Sequence, residues 1–334
     1  MIWNQWYGIL DARQLKKNRP LGVTRMGEKL VLWRCDDGVI GCAADCCAHR
    51  GAQLSLGKVH GDAVHCPFHG FGYDASGRGV VIPANGQQAP VPERFQVRAY
   101  RAVEAHGLIW IWWGDQRASY PPLPFFQELT EPGFSYGQFV DHWPVHYSRA
   151  IENQLDVVHL PFVHHNTIGR GHRTVIDGPV VDWVDDELRV WVFNRVEDGI
   201  PARRAEELDV TDKSAMLRFR FGNIWRNRIA DDLNVFACFA PIDDDNTMIY
   251  LRFYQRFLST PVLGGLISRL AMPFNKRILR QDKRVVVTQR PIRSELRMGE
   301  KLVPGDRPIV AYRRRRQALQ EANPRPAAGG HHGA

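Results

Sequence analysis

The chain has 334 residues, 44% hydrophobic and 24% charged, with a formal net charge of +8. That length and balance suit a globular protein of two domains, each able to bury a core, and exclude a disordered or fibrous chain. The basic excess comes with no helix-turn-helix, zinc-finger or aromatic-and-basic RNA signature, so nucleic acid is not the expected partner and an acidic redox protein fits better.

The opening MIWNQWYGIL has no basic stretch followed by a long apolar run, so no signal peptide is visible. Residues 3–114 read as short strands at Trp6 to Leu10, Lys29 to Arg34, Val39 to Ala43, Ala63 to His65, Val80 to Ile82, Phe95 to Arg101 and Leu108 to Trp113. Turns such as CDDG (35–38) and DASGRG (74–79) punctuate them, which describes a small all-β domain. Within it stand two short motifs, CCAHRG (46–51) and CPFHG (66–70). Cys47 and His49 in the first, with Cys66 and His69 in the second, supply two thiolates and two imidazoles. Zinc and a 2Fe–2S cluster both fit that ligand count. Zinc sites usually pair ligands of one type, whereas here each loop gives one Cys and one His, so spacing favours the cluster. The remaining cysteines, Cys35, Cys42, Cys46 and Cys238, form no disulfide framework.

The segment Gly114 to Pro124 is polar and Pro-rich, as expected of a domain boundary. Beyond it a helix is expected around Tyr147 to His159, then strands at Val175–Trp183, Leu188–Arg195, Ala215–Phe221, Leu233–Ala240 and Thr247–Phe257. A late helix follows from about Pro273 to Gln289. Strands gathered between helices argue for an α+β domain with an antiparallel sheet. The apolar stretch Leu258 to Ser268 is too short to span a bilayer and reads as a buried helix or, second, a membrane-surface patch. With no targeting or spanning segment in view, a reducing cytoplasm is expected. His331 and His332 sit in a polar tail.

ENQLDVVHLPFVHHN (152–166) is the second chemical signal. Asp156 and His159, three apart, share a helix face, whereas His159 and His164, five apart, do not. Pro161 between the histidines removes a helical donor and breaks the helix, which can bring both imidazoles to one point. Two imidazoles and a carboxylate around open positions form the facial triad that suits ferrous iron. The plainer reading has both histidines flanking a helix end and hydrogen-bonding locally.

C-x-H-R-G followed by C-P-x-H-G resembles the Rieske ferredoxin fingerprint. N-x-x-D-x-x-H-x4-H resembles the mononuclear-iron motif of Rieske non-haem iron oxygenases, the superfamily of aromatic-ring-hydroxylating oxygenase α-subunits. The resemblance covers residues 3 to about 316. In compact length, motif spacing and the closing GDRPIVAYRR (305–314), it is nearest to the branch of pheophorbide a oxygenase, chlorophyll-modifying oxygenases and demethylating monooxygenases. Two departures are Phe71, where the family often has Trp, and Cys46 beside Cys47, an alternative thiolate that the C-x-H register does not select.

The resemblance implies a Rieske domain over 1–117 and a helix-grip (START-like) catalytic domain over 118–316, with an antiparallel sheet and a long C-terminal helix; 317–334 is expected to be a disordered tail. It implies a 2Fe–2S cluster on Cys47, His49, Cys66 and His69, its potential biased by Arg50. Iron is expected on His159, His164 (rather than His165) and Asp282. Asp282 lies in RQDKRVVVTQ, which resembles Q-D-x-x-x-V-x-x-Q; Asp306 is the fallback. It further implies a homotrimer in which Asp156 bridges His159 to a cluster histidine of the next chain. The chain has no G-x-G-x-x-G and no flavin module, so NAD(P)H is expected to act through a separate reductase or ferredoxin. With O2 as co-substrate, the implied activity is hydroxylation or oxidative demethylation of an aromatic or polycyclic small molecule. The alternatives are an iron–sulfur electron carrier with a ligand-binding C-terminal domain, a ring dihydroxylating dioxygenase, and a zinc-bound structural protein. Trp183, Trp191 and Trp225 are candidates for an aromatic pocket or for core packing. Arg203 and Arg204 are candidates for meeting an anionic substrate or for plain surface charge.

Overall fold

In the computed structural model, which describes residues 1–258 and 261–326, the chain forms two units. One holds residues 4–122 with 240–243; the other holds 1–3, 123–239 and the chain from 244 onward. The first unit is built from β1 (Gln5–Asp11), β2 (Leu21–Arg25), β3 (Glu28–Arg34), β4 (Ile40–Ala44), β5 (Lys58–His60), β6 (Ala63–His65), β7 (Gly72–Tyr73), β8 (Gly79–Val81), β9 (Ala102–Ala105) and β10 (Leu108–Trp113). They form a six-stranded sheet, β1-β10-β9-β4-β3-β2, and a four-stranded sheet, β5-β6-β7-β8. Continuous apolar sequence rather than alternation marks β10, whose six residues are all buried. The expected strand over Phe95–Arg101 joins a sheet only at isolated bridges, Ala43 with Ala99 and Arg78 with Gln96. Gly77 is required in the turn between β7 and β8: its φ is +85°, and a Cβ there would collide with the Val97 carbonyl.

The second unit runs β11 (Ser135–Trp143), α1 (Tyr147–Leu155), α2 (Leu160–Val163), β12 (Val175–Val184), β13 (Glu187–Arg195), β14 (Leu217–Arg220), β15 (Ile224–Ala230), β16 (Leu233–Pro241), β17 (Thr247–Gln255), α3 (Pro261–Leu270), α4 (Met272–Val286) and α5 (Arg307–Ala322). Its seven strands are ordered β11-β17-β16-β15-β14-β13-β12. Period-2 alternation sends Leu188, Val190, Leu217, Phe219, Trp225, Ala237, Phe239, Ile249 and Leu251 to a core shared with α1, α4 and α5. Positions between them face the other way and carry charge: buried Glu187 accepts from Arg189, Arg218 and Arg220 at 2.6–2.8 Å.

Several expectations need correction. β11 and β15 were not foreseen, because Gln, Asp and His in one and Arg226, Asn227 and Arg228 in the other hide the apolar alternation. The helix expected to run to His159 stops at Leu155, where Asp156 takes extended dihedrals (φ −68°, ψ 125°). The tail does not begin at residue 317, since α5 continues to Ala322 with Arg313 and Arg316 buried along it. His331 and His332 lie outside the described residues, as do residues 259 and 260 of the apolar stretch.

An ion network built on buried Arg149, Glu152 and Arg313 fixes α1. Glu152 accepts from Arg149 Nη1 at 3.2 Å and from Arg313 Nε and Nη2 at 2.8 and 2.9 Å; Glu300 accepts from Arg149 at 2.9 Å and from Arg313 at 2.7 Å. Such a network contributes little over an apolar core, but removing one partner strands the others in low dielectric. Glu152→Gln is therefore expected to cost about 3–5 kcal/mol of unfolding free energy, measured by urea denaturation, with the midpoint falling and the slope unchanged.

Candidate metal centres

The two loops of the first unit have the same backbone. Cys47 N donates to Ala52 O at 2.9 Å and Gly51 N to Cys47 O at 2.9 Å; Cys66 N donates to Phe71 O at 2.8 Å and Gly70 N to Cys66 O at 3.0 Å. Gly51 (φ +73°) and Gly70 (φ +74°) close the two turns in the left-handed region, where a side chain is disfavoured. This repeat explains the Gly in both motifs, although the histidine sits two residues after one cysteine and three after the other. Cys47 and Cys66 are buried, whereas the rings of His49 and His69 meet edge-on at 4.9 Å. Phe71, the departure from Trp, stacks on His49 at 4.6 Å and 10°, so an aromatic cover is kept. Tyr73 Oη lies 3.2 Å from Cys47 Sγ, a hydrogen bond of the kind that tunes a sulfur-ligated centre. Burial raises the Cys66 thiol pKa, opposed by the Phe68 and His69 amides. Arg50 lies over the Phe68 ring at 5.5 Å. Cys46 is exposed, outside this pocket.

Two groups of three potential ligands converge within 4.8 Å among the described residues, and neither contains the loop residues. Each loop brings one Cys and one His, the two thiolates and two imidazoles that a 2Fe–2S cluster of this ligand type takes, so the donor set fits such a cluster.

His159, His164 and Asp282 form one of those convergent groups. The break after α1 sets it up: Asp156 Oδ1 accepts from the Val158 amide at 2.7 Å and the His159 amide at 3.1 Å, turning the chain before α2. His159 then stands just before the single turn of α2 and His164 just after it, with Pro161 in the first turn, where a missing N–H costs nothing. Asp156 and His159 thus do not share a helix, as the spacing had suggested. His164 Nε2 lies 2.9 Å and His159 Nε2 3.4 Å from Asp282 Oδ1 on α4. His165 is exposed and turns to the Phe162 carbonyl, while Asp306 accepts from the Val303 amide outside the group.

Neighbours orient these ligands. Gln281 Oε1 lies 3.0 Å from His164 Nδ1 and accepts from Thr167 Oγ1 at 2.8 Å, while Gln281 Nε2 donates to Asn166 at 2.6 Å. The amide is thereby fixed so that Nδ1 of His164 donates and Nε2 keeps its lone pair for a metal. Asn166 and Thr167 were not singled out by sequence reading; Gln281 stands in the Q-D-x-x-x-V-x-x-Q resemblance, though not as the group that orients His164. His159 Nδ1 lies 3.5 Å from Asp156 Oδ1.

The site is built for a cation. Asp282 Oδ1 and His159 Nδ1 are buried without a hydrogen bond of good geometry. Burial opposes charging His159, yet Asp156 and Asp282 outweigh it and push its pKa up to about 9. Burial likewise works against the Asp282 carboxylate, but the two imidazoles hold its pKa below the usual range. A divalent ion answers the same carboxylate without that proton, and two nitrogens with one oxygen suit ferrous iron with positions left open.

Other candidates have structural occupations. Arg203 donates to buried Asp177 at 2.9 and 3.0 Å, and Arg204 is exposed beside it. Trp225 lies in the helix-facing core, Trp183 stacks on Phe221 at 5.9 Å, and Trp191 donates to the Lys213 carbonyl on the far face.

A Rieske 2Fe-2S domain profile matches residues 5–101, and a vanillate O-demethylase oxygenase C-terminal domain profile matches residues 143–322. Methylxanthine N1-demethylase NdmA of Pseudomonas putida is 27% identical over 95% of this chain and 89% of its own length. The vanillate O-demethylase oxygenase subunit of a Pseudomonas species is 30% identical over 60% of this chain and 54% of its own. Some curated relatives are matched over only 30% or 48% of their length. The solved structure of Pseudomonas putida CBB5 NdmA shares the fold, with a TM-score of 0.74 at 21% identity over 99% of this chain and 98% of that one. Among the described residues, no helix is long and apolar enough to cross a membrane.

Replacing Gln281 with Leu removes the acceptor that fixes His164 but no ligand. Iron affinity at the mononuclear site is expected to fall roughly 10- to 100-fold, read by competition with a chelator, while the visible absorption of the cluster is unchanged.

Proposed function

The chain belongs to the Rieske oxygenases with a vanillate O-demethylase-type C-terminal domain, and from that premise we propose that it is the oxygenase component of a monooxygenase acting on an aromatic or polycyclic small molecule. When bound, the cluster supplies single electrons and the ferrous ion supplies the centre at which dioxygen is activated. The convergence of two imidazoles on the buried Asp282 oxygen carries this reading, because an electron carrier has no use for a second, three-ligand site.

The residues divide the work. Cys47, His49, Cys66 and His69 hold the cluster, and His159, His164 and Asp282 hold the ion while leaving positions open. With two electrons and two protons, one oxygen atom enters the substrate and the other leaves as water. If the attacked carbon is a methyl group on oxygen or nitrogen, the hydroxylated carbon departs as formaldehyde.

The electrons come from a separate NAD(P)H-dependent reductase or ferredoxin. In this reading the chain works as a homotrimer, with Asp156 joining His159 to a cluster histidine of a neighbouring copy. Asp156 Oδ1 is committed to two backbone amides, and its second oxygen is left to accept a hydrogen bond from outside.

Incubation with candidate substrates, a surrogate reductase and labelled dioxygen tests the activity. One labelled oxygen is expected in the hydroxylated product, or one equivalent of formaldehyde per turnover when the substrate is demethylated, since formaldehyde exchanges its oxygen with water, and the His159→Ala, His164→Ala double variant is expected to be inactive; full turnover by that variant overturns the reading. Asp156→Asn is expected to retain both metals yet slow turnover on the order of 10- to 100-fold. Normal turnover by that variant removes the bridging role alone.

A further inference from the structure

Helices α3 and α4 run almost without interruption: Ala271 between them is helical, and hydrogen bonds from Ala271 N to Ile267 O and from Asn275 N to Ala271 O cross the junction. At about 100° per residue, one wheel therefore describes both. Gly264, Ser268, Asn275, Leu279, Asp282 and Val286 are buried, and they fall within about 60° of one another on that wheel. The inward face of α3 is thus made of small residues. Ser268 Oγ donates to Gly264 O at 2.8 Å, and a Cβ on Gly137 of β11 would collide with the Ser268 carbonyl, so the helix backbone lies directly on the sheet edge.

The large apolar side chains point the other way. Leu263, Leu266, Leu270 and Phe274 are 53%, 52%, 69% and 52% exposed. They line up within about 80° of the wheel, over roughly 16 Å of helix. A helix that packs through glycine and serine while presenting leucines to solvent has the reverse of the usual amphipathic order.

Beside this stripe stand Arg269, Lys276, Arg277, Arg280 and Arg284, all exposed, on an adjoining arc of about 100°. Four of them, with Val163 and His165, line a groove of about 480 Å³ along α4. We propose that this face is a docking surface for an anionic bilayer, with the helix lying in the interface plane, leucines in the acyl boundary and cations on lipid phosphates. Charge complementarity selects that occupant: the sole carboxylate on α3 and α4 is the buried Asp282, so no acidic side chain of these helices offsets the five cations that would meet an anionic surface. The leucines also protrude from a convex helix, which a protein partner would have to match with a groove, whereas an acyl layer adapts to any outline.

Co-sedimentation of the full-length, metal-loaded chain with vesicles tests the proposal. Binding is expected to vesicles containing phosphatidylglycerol and not to pure phosphatidylcholine. Leu266→Glu with Leu270→Glu should abolish it, while Arg277→Gln and Arg280→Gln should each weaken partition roughly fivefold. Iron content and circular dichroism of the variants confirm that the fold is kept. Three results overturn the proposal. These are absence of binding to anionic vesicles, binding that survives the double leucine variant, and a smaller oligomer in sedimentation velocity when the leucines are replaced, which would assign the face to a second copy. Retained capture of an acidic electron-donor protein with no vesicle binding would likewise reassign it.

Discussion

A carboxylate withdrawn from water needs a cation, and Asp282 is such a carboxylate. Its Oδ1 is buried, faces two imidazole nitrogens and makes no hydrogen bond of good geometry. The two imidazoles answer part of that charge, and packing holds the carboxylate in place. Leu279 and Val286, on the same face of α4 as Asp282, anchor the helix in the core. Gln281, the preceding residue in sequence, leaves the Asp282 face and turns to His164, so adjacent positions on one helix supply the carboxylate and the group that orients one of the imidazoles facing it.

The two centres are assembled by different means. The cluster loops are local devices, six residues each, closed by the same pair of backbone hydrogen bonds and the same left-handed glycine. Their ligands are positioned by a fold that short sequence spacing already encodes. The three-residue site is non-local, since His164 and Asp282, on α4, meet at 2.9 Å from distant parts of the chain. Holding α1, α2 and α4 in register takes tertiary anchoring, and the network of buried Arg149, Glu152 and Arg313 with Glu300 at its edge supplies it for α1, one turn before Asp156.

Charge is spent unevenly over the second unit. On the far face of the sheet, arginines are matched by buried carboxylates: Glu187 serves three of them and Asp177 serves Arg195 and Arg203. These residues contribute to the net positive count without making a basic surface. The cations of α4 are exposed, so a positive surface lies beside the same helix that carries Asp282.

Cysteine and histidine spacing alone picked out the two loops, because each motif is one turn whose candidate ligands and closing glycine lie within six residues; the choice of a cluster over zinc came from the resemblance. The α+β class was equally legible from clustered strands between helical stretches. Less was readable where polar residues serve structure: β15 hides behind Arg226 and Arg228, and Asp156 reads as a helical residue although its carboxylate ends the helix. Resemblance named Asp282, but no spacing rule links it to His159 and His164. Only packing of α4 against the sheet and α1 brings that oxygen to the imidazoles. Sequence thus determines contacts that a single turn can make, whereas a site whose members meet across more than a hundred residues is decided by the core, through the burial that holds its helices in register.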